Sequence, residues 1–315
     1  MPSMKIIFAG LDGAGKTSFI NSLEEKYSTL MKIKPTLGAD RREFNLFGFT
    51  ISNWDLGGQK SYRETYIADK DRYFTEINTL FYVFDFQDTS RDTEAFDYLT
   101  EIVQALEEMN EHPRIVILWH KFDKDIEEKP ESQPRVETLE DKLANTIGDR
   151  FKFKTFKTSI FDKWSLLKAF SDGVVASSPK TLIIESQLRD FARKTFSSAV
   201  MLLDSNHLTL GSSTSSSELL DICEAVVSHA AFAEEKLTKY DIRTDSIVLT
   251  LAPGKYYAEL LRDKEMVVLF VPLRVGDFSF SIVSLAKNPN TLKLLLMHAK
   301  DLATSLQDII KTFYF

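Results

Sequence analysis

Gly10 to Thr17 read "GLDGAGKT", an instance of G-x-x-x-x-G-K-[ST] that follows an apolar run and opens a helical one. Glycines at this spacing let backbone amides turn inward onto phosphate oxygens, and the following helix presents its positive N-terminal end to the anion. Lys16 supplies a mobile ammonium for the β and γ phosphates, and Thr17 a hard hydroxyl oxygen suited to Mg²⁺. Further on, "KPTLG" carries Thr36, a second hydroxyl for the same metal once a γ-phosphate draws its loop inward. "WDLGGQ" follows, from Trp54 to Gln59. Here Asp55 is expected to hold the metal through water, Gly57 and Gly58 to free an amide for the γ-phosphate, and Gln59 to orient an attacking water.

A third stretch, "WHKFD" (119 to 123), ends another apolar run. Alone it reads as a strand end with a polar turn or as a base-reading loop. Beside a phosphate loop the second reading gains weight. Asp123 can accept two parallel hydrogen bonds from guanine N1 and N2, a charged bidentate contact that adenine cannot match. Lys121 can lay its methylene stem over the base. "TSI", from Thr158 to Ile160, ends the next strand run and can offer a backbone amide near Ser159 to the guanine carbonyl oxygen.

Such groups meet only if strands and helices alternate. The first half supplies that pattern. "KIIFA" (5 to 9), "REFNL" (42 to 46), "FTISNWD" (49 to 55), "TLFYVFD" (79 to 85), "RIVILWH" (114 to 120) and "KFKTFKT" (152 to 158) read as strands, the second and third as a hairpin. From Glu94 to Met109, Leu99, Ile102, Val103, Leu106 and Met109 form one helical stripe. Lys124 to Glu140 is charged and holds Pro130 and Pro134, which predicts a solvated loop entering a helix near Leu139. The expectation is an α/β fold with a mostly parallel six-stranded sheet whose C-terminal edge binds the ligand.

Pro179 marks a boundary, giving domains 1–178 and 179–315. Beyond it the order is α, β, β, α, β, β, β, α. The helices are predicted at about 181 to 194, Glu218 to Lys239 and Thr291 to Thr312. The strands are "SAVMLLD", "HLTLGS", "SIVLTLA", "KYYAELLRD" and "EMVVLFVPL". Ser215 and Glu218 are spaced as a capping box. A five-stranded antiparallel sheet with helices on it satisfies these faces.

Length and composition set the outer bounds. At 315 residues the chain suits two cores, and 43% apolar with 27% charged residues is ordinary for a globular protein. A net charge of -7 with scattered basic residues argues against nucleic acid as a partner. The single cysteine, Cys223, lies in an apolar helical pattern, reads as a packing residue, and fits a reducing, cytoplasmic compartment. No apolar run approaches the ~20 residues that span a bilayer. Pro2 stands where myristoylation needs glycine, and "TFYF" holds no prenylation cysteine. Direct membrane insertion is not expected, so recruitment would need a partner scaffold.

In this order the motifs resemble the Ras-like small GTPases. "GLDGAGKT", "PTLG" and "WDLGGQ" resemble the Arf group, while "WHKFD", "FKTSIFD" and the segment from "NTLFYVFDFQD" onward resemble the Rag (Gtr) GTPases, where histidine precedes the lysine. Element order after Pro179 is similar to the roadblock (longin-like) domain that Rag proteins carry. The resemblance implies GTP/GDP and Mg²⁺ as ligands. Asp12, Gly13, Ala14, Gly15, Lys16, Thr17 and Ser18 would cradle phosphate, with Thr17, Thr36 and Asp55 at the metal. Gln59 and Lys16 would be catalytic, Thr36 and Gln59 would report the γ-phosphate with Gly58 also binding nucleotide, and His120, Lys121, Asp123, Ser159 and Ile160 would hold guanine. His120 replaces the asparagine common in Ras relatives and is expected to tie the base loop to the P-loop. Asp12 agrees with Arf and narrows the room for an arginine finger. No arginine in the sequence is clearly placed to act in cis, so slow intrinsic hydrolysis is expected.

The reading that follows is a Rag-like switch in nutrient or membrane-associated signalling. It would be a homo- or heterodimer through the roadblock domain, served by activating and exchange proteins. Asp245 to Leu251 and the helix from Glu218 to Lys239 are the expected dimer surface. A structural GTP-binding scaffold with little turnover is the alternative. A monomeric Arf-like traffic GTPase would need an N-terminal amphipathic helix, whereas the first strand here begins near Met4.

Overall fold

The computed structural model describes residues 3–27, 40–46, 49–175, 179–205, 207–252, 265–276 and 278–314. Two compact units divide the chain, Met1–Ser177 and Ser178–Phe315.

The first unit holds β1 (Ser3–Ala9), α1 (Lys16–Tyr27), β2 (Asp40–Leu46), β3 (Phe49–Asp55), α2 (Lys60–Ala68), α3 (Lys70–Phe74), β4 (Thr79–Asp85), α4 (Asp92–Glu108), β5 (Arg114–His120), α5 (Lys124–Glu127), α6 (Ser132–Ile147), β6 (Phe153–Thr158) and α7 (Lys163–Val175). Its sheet runs β2-β3-β1-β4-β5-β6. The pairs from β3 to β6 are parallel and the β2–β3 hairpin is antiparallel. Tyr82 and Val83 on β4 and Leu118 and Trp119 on β5 are all buried, which requires a helical layer on each face. On one face Phe8 stacks on Phe81 with ring centroids 4.6 Å apart, and Phe19 of α1 and Phe170 of α7 close around them. On the other, Ile7, Tyr82 and Phe84 meet Leu99 and Ile102 of α4 and Leu143 of α6.

Parallel pairing with right-handed crossovers brings the C-terminal ends of β1, β3, β4 and β5 to one edge of the sheet. Register places Phe8 opposite Asp55 and Asp85 opposite His120, so the loops after these strands leave side by side.

One helix departs from the sequence expectation. The charged stretch after Lys124 is a short α5 and then α6 from Ser132, well before Leu139. Pro134 stands in the first turn of α6, where its missing N–H would have had no intrahelical partner. Val136, Leu139, Leu143 and Ile147 are its buried stripe.

The second unit holds α8 (Pro179–Thr195), β7 (Ala199–Asp204), β8 (Thr209–Thr214), α9 (Ser217–Thr238), β9 (Ile247–Leu251), β10 (Met266–Val275), β11 (Phe278–Ala286) and α10 (Leu292–Tyr314). Its sheet has the order β8-β7-β11-β10-β9 and is antiparallel throughout. Every residue of β7 is buried. The expected count of five strands holds, with one strand different. β11, "FSFSIVSLA", alternates apolar and serine positions and is paired between β7 and β10, whereas "KYYAELLRD" lies outside the described residues. The N-cap of α9 is Ser216, one residue later than the expected capping box. Its hydroxyl donates to Glu218 Oε2 at 2.6 Å, while Ser215 Oγ turns back to Ser198 O. Cys223 is buried in α9, and burial pushes its thiol up to about 12, the behaviour of a packing residue.

Candidate nucleotide-binding site

The loop after β1 winds around one side chain. Lys16 Nζ donates to the carbonyl oxygens of Gly10 at 3.0 Å and Leu11 at 2.8 Å. Lys16 is 6% exposed, and burial lowers its pKa to about 8, opposed by Asp55 and then Asp12. An anion seated in the loop would favour the charged form again. Asp12 and Gly13 are exposed on the crown, Ala14 is buried beneath it, and Thr17 and Ser18 are exposed on the first turn of α1.

Thr17 Oγ1 donates to Asp55 Oδ2 at 2.6 Å, joining the start of α1 to the end of β3. A hydroxyl and a carboxylate are hard oxygen donors of the kind Mg²⁺ takes, with nucleotide phosphates and water completing the shell. Thr36 lies outside the described residues. Gly58 is seated on the crown, since a Cβ there would stand 2.1 Å from Asp12 N and 2.5 Å from Leu11 O. Gln59 is exposed and is the N-cap of α2, its carbonyl accepting from the amides of Tyr62 and Arg63. Gln59 follows directly on Gly58, the residue that touches the loop.

At the end of β5, His120 is 1% exposed and its Nδ1 lies 3.0 Å from Thr158 Oγ1. The tie to the P-loop is made by packing: a Cβ on Gly15 would stand 2.5 Å from His120 Cδ2. Gly15 has φ +95°, so this position excludes a side chain on conformational grounds as well. Lys121 turns the chain with φ +61° and donates to Asp85 Oδ2 at 2.5 Å. Asp123 is oriented from two sides, by Ser159 Oγ to Oδ1 at 2.5 Å and by Gln87 Nε2 to Oδ2 at 3.1 Å. Each oxygen keeps a further lone pair for a base donor. The Ser159 amide already donates to Ser165 Oγ at 3.0 Å, which leaves Ile160 N–H as the better candidate for the guanine carbonyl.

The sequence reading missed three residues here. Gln87 also donates to Lys121 O at 2.9 Å, and Asp85 anchors Lys121. Arg91 reaches the P-loop itself, with Nη2 on Asp12 Oδ1 at 2.7 Å and Nη1 on Asp12 O at 3.2 Å. The sequence did not place this arginine at the loop, and its guanidinium is taken up by Asp12 and Glu94. Asp85 and Gln87 end and follow a strand whose end faces the base loop, a signal available from the pattern, but nothing near Arg91 announces its partner.

Burial holds the His120 imidazole at about 4, below its ordinary value, and the neighbouring Lys121 charge adds to that. Protonation therefore favours the unfolded chain, so stability is fully present above pH ~6.5 and falls as pH drops toward 4, by about 3 kcal/mol in total. His120→Asn should flatten this part of the curve in chemical denaturation followed from pH 7 to 4. An unchanged slope would show that His120 is not the group responsible.

Residues 5–230 match the Gtr1/RagA G protein conserved region, which spans the first unit and continues into α9. The GTP-binding protein gtr1 of Schizosaccharomyces pombe is 28% identical over 220 residues, covering 67% of this chain and 68% of that protein. An ADP-ribosylation factor-like protein 3 of Chlamydomonas reinhardtii is 38% identical over 112 residues, 36% of this chain and 59% of that protein. Among solved structures, the Arl6 BBS3 small GTPase of Trypanosoma brucei aligns at 21% identity with a TM-score of 0.41, over 56% of this chain and 97% of that one. With the match extending over more than half of its length, the chain belongs to the Gtr1/RagA G-protein family.

Proposed function

We propose that this G protein is a GTP/GDP switch that binds nucleotide with Mg²⁺, hydrolyses GTP slowly by itself, and works as a dimer through its second unit. The observation that carries the reading is the convergence of Lys16, the Thr17–Asp55 pair, Gly58 and Asp123 on one sheet edge. Lys16 and the crown amides would bind the β and γ phosphates, and Thr17 with Asp55 would hold the metal, which when bound neutralises phosphate charge. Gly58 meets the loop through backbone alone, so a γ-phosphate bonded to its amide would fix the start of α2 and a diphosphate would release it. Gln59, at that same start, would orient the attacking water. Asp123 and Ile160 would read the guanine edge.

Slow turnover fits a site whose nearby Arg91 is committed to Asp12 and Glu94. Gln59→Leu should leave GTP and GDP affinity nearly unchanged while lowering single-turnover hydrolysis by 10-fold or more, on the order expected for a water-positioning group. Hydrolysis that proceeds at the unaltered rate would remove Gln59 from the mechanism and weaken the switch in favour of a nucleotide-holding scaffold.

The dimer rests on the second unit. β9 ends the order of described strands, and Phe232 of α9, Tyr240 and Ile242 beyond it, and Val248 of β9 are exposed apolar side chains. Regulation by activating and exchange proteins and recruitment by a membrane scaffold belong to this proposal; among the described residues no helix is long and apolar enough to cross a membrane. Light scattering at micromolar concentration should give the mass of two chains. A single-chain mass would remove self-association, and a partner paralogue would then have to restore the dimeric mass.

A further inference from the structure

Arg91 sits in the 3-10 turn Thr89–Arg91 and is the N-cap residue of α4. All three nitrogens of its guanidinium are engaged. Nη2 and Nη1 donate to Asp12, the first to the carboxylate and the second to the backbone carbonyl, and Nε donates to Glu94 Oε2 at 2.9 Å. Glu94 also accepts from Arg63, a buried residue in the first turn of α2, whose amide in turn donates to Gln59 O. The chain Asp12–Arg91–Glu94–Arg63 thus alternates in sign and runs from the P-loop crown to the helix that Gln59 caps. On the proposed function Asp12 would lie beside the terminal phosphate, since its backbone amide is the atom against which Gly58 is seated.

We infer that Arg91 is a positioning residue that neutralises the Asp12 carboxylate and holds it off the terminal phosphate, and so sets how strongly the site prefers GTP over GDP. The inference rests on the proposed function, since it concerns the nucleotide that site would hold. A carboxylate on the crown repels a terminal phosphate, and GDP lacks that group, so the repulsion falls selectively on GTP. The hydrogen bond from Arg91 keeps the Asp12 carboxyl below the usual carboxylate range, so the carboxylate is charged at neutral pH with Arg91 as its bonded counter-charge. With Arg91 removed, Glu94 retains Arg63, and Asp12 loses its hydrogen-bonded guanidinium, keeping only the longer-range attraction of Arg63 and Lys16. The fork geometry gives Arg an advantage over Lys here, because one plane serves two acceptors on Asp12 and one on Glu94.

The test is calorimetric titration of the full chain, in Mg²⁺, with GDP and with a non-hydrolysable GTP analogue. Arg91→Ala should lower the analogue-to-GDP affinity ratio by about 5- to 10-fold, the order expected for a partly screened charge contact. In an Asp12→Asn background the same substitution should leave the ratio unchanged. Arg91→Lys, which keeps the charge, should recover part of it and controls for folding. Equal loss for both nucleotides would overturn the inference and leave Arg91 a structural brace. A ratio shift that persists in the Asp12→Asn background, or a fall in single-turnover hydrolysis with no ratio shift, would also overturn it, since either places Arg91 on the phosphate itself. Failure of the unaltered protein to bind either nucleotide would instead remove the proposed function.

Discussion

The P-loop is closed in by two contacts that only glycine permits. Gly15 lies under the His120 ring and Gly58 lies on the Leu11–Asp12 backbone, at distances where any Cβ would overlap its neighbour. With Lys16 bonded to the loop's own carbonyls, this fixes the crown between the end of β3 and the end of β5. The remaining features of the site depend on that confinement. The Thr17–Asp55 hydrogen bond needs α1 to start where the loop delivers it. Asp123 follows His120, which is packed against Gly15, by three residues and is held by Ser159 and Gln87.

The two glycines differ in what they join. Gly15 meets a buried, neutral imidazole held by Thr158, a rigid partner on the core side of the sheet edge. Gly58 meets the loop at the head of α2, whose Gln59 is exposed. One side of the loop is therefore anchored to the buried end of β5, and the other side touches the head of α2, which on the proposed reading would respond to the phosphate state. The Arg91 pair gives the crown a third contact, electrostatic and partly exposed, and thus more easily altered than the two packed ones.

Much of this was legible from sequence because phosphate chemistry imposes spacing. The P-loop, "WDLGGQ" and "WHKFD" each sit at the end of an apolar strand run, and parallel pairing then makes them neighbours. Residues whose partners are remote in sequence were not legible. Arg91 meets Asp12 across 79 positions from within a polar turn that resembles any solvated turn. Gln87 likewise bonds Asp123 from 36 positions away. In α6 the apolar stripe was hidden by a high charge density and by Pro134, which the first helical turn tolerates. β11 was passed over although its alternation is plain, because another apolar segment had already completed the sheet. The sequence leads one to expect a bond from His120 to the P-loop, whereas the structure shows its ring packed on Gly15, a contact between residues remote in sequence that no local pattern announces.

The central claim is that this sheet edge holds guanine nucleotide. It is tested most directly by releasing and identifying, by chromatography, whatever nucleotide stays with the protein after purification in Mg²⁺. GDP or GTP near one equivalent per chain is the predicted result, reduced by Asp123→Ala. Adenine nucleotide, or guanine nucleotide whose amount Asp123→Ala leaves unchanged, would contradict the account.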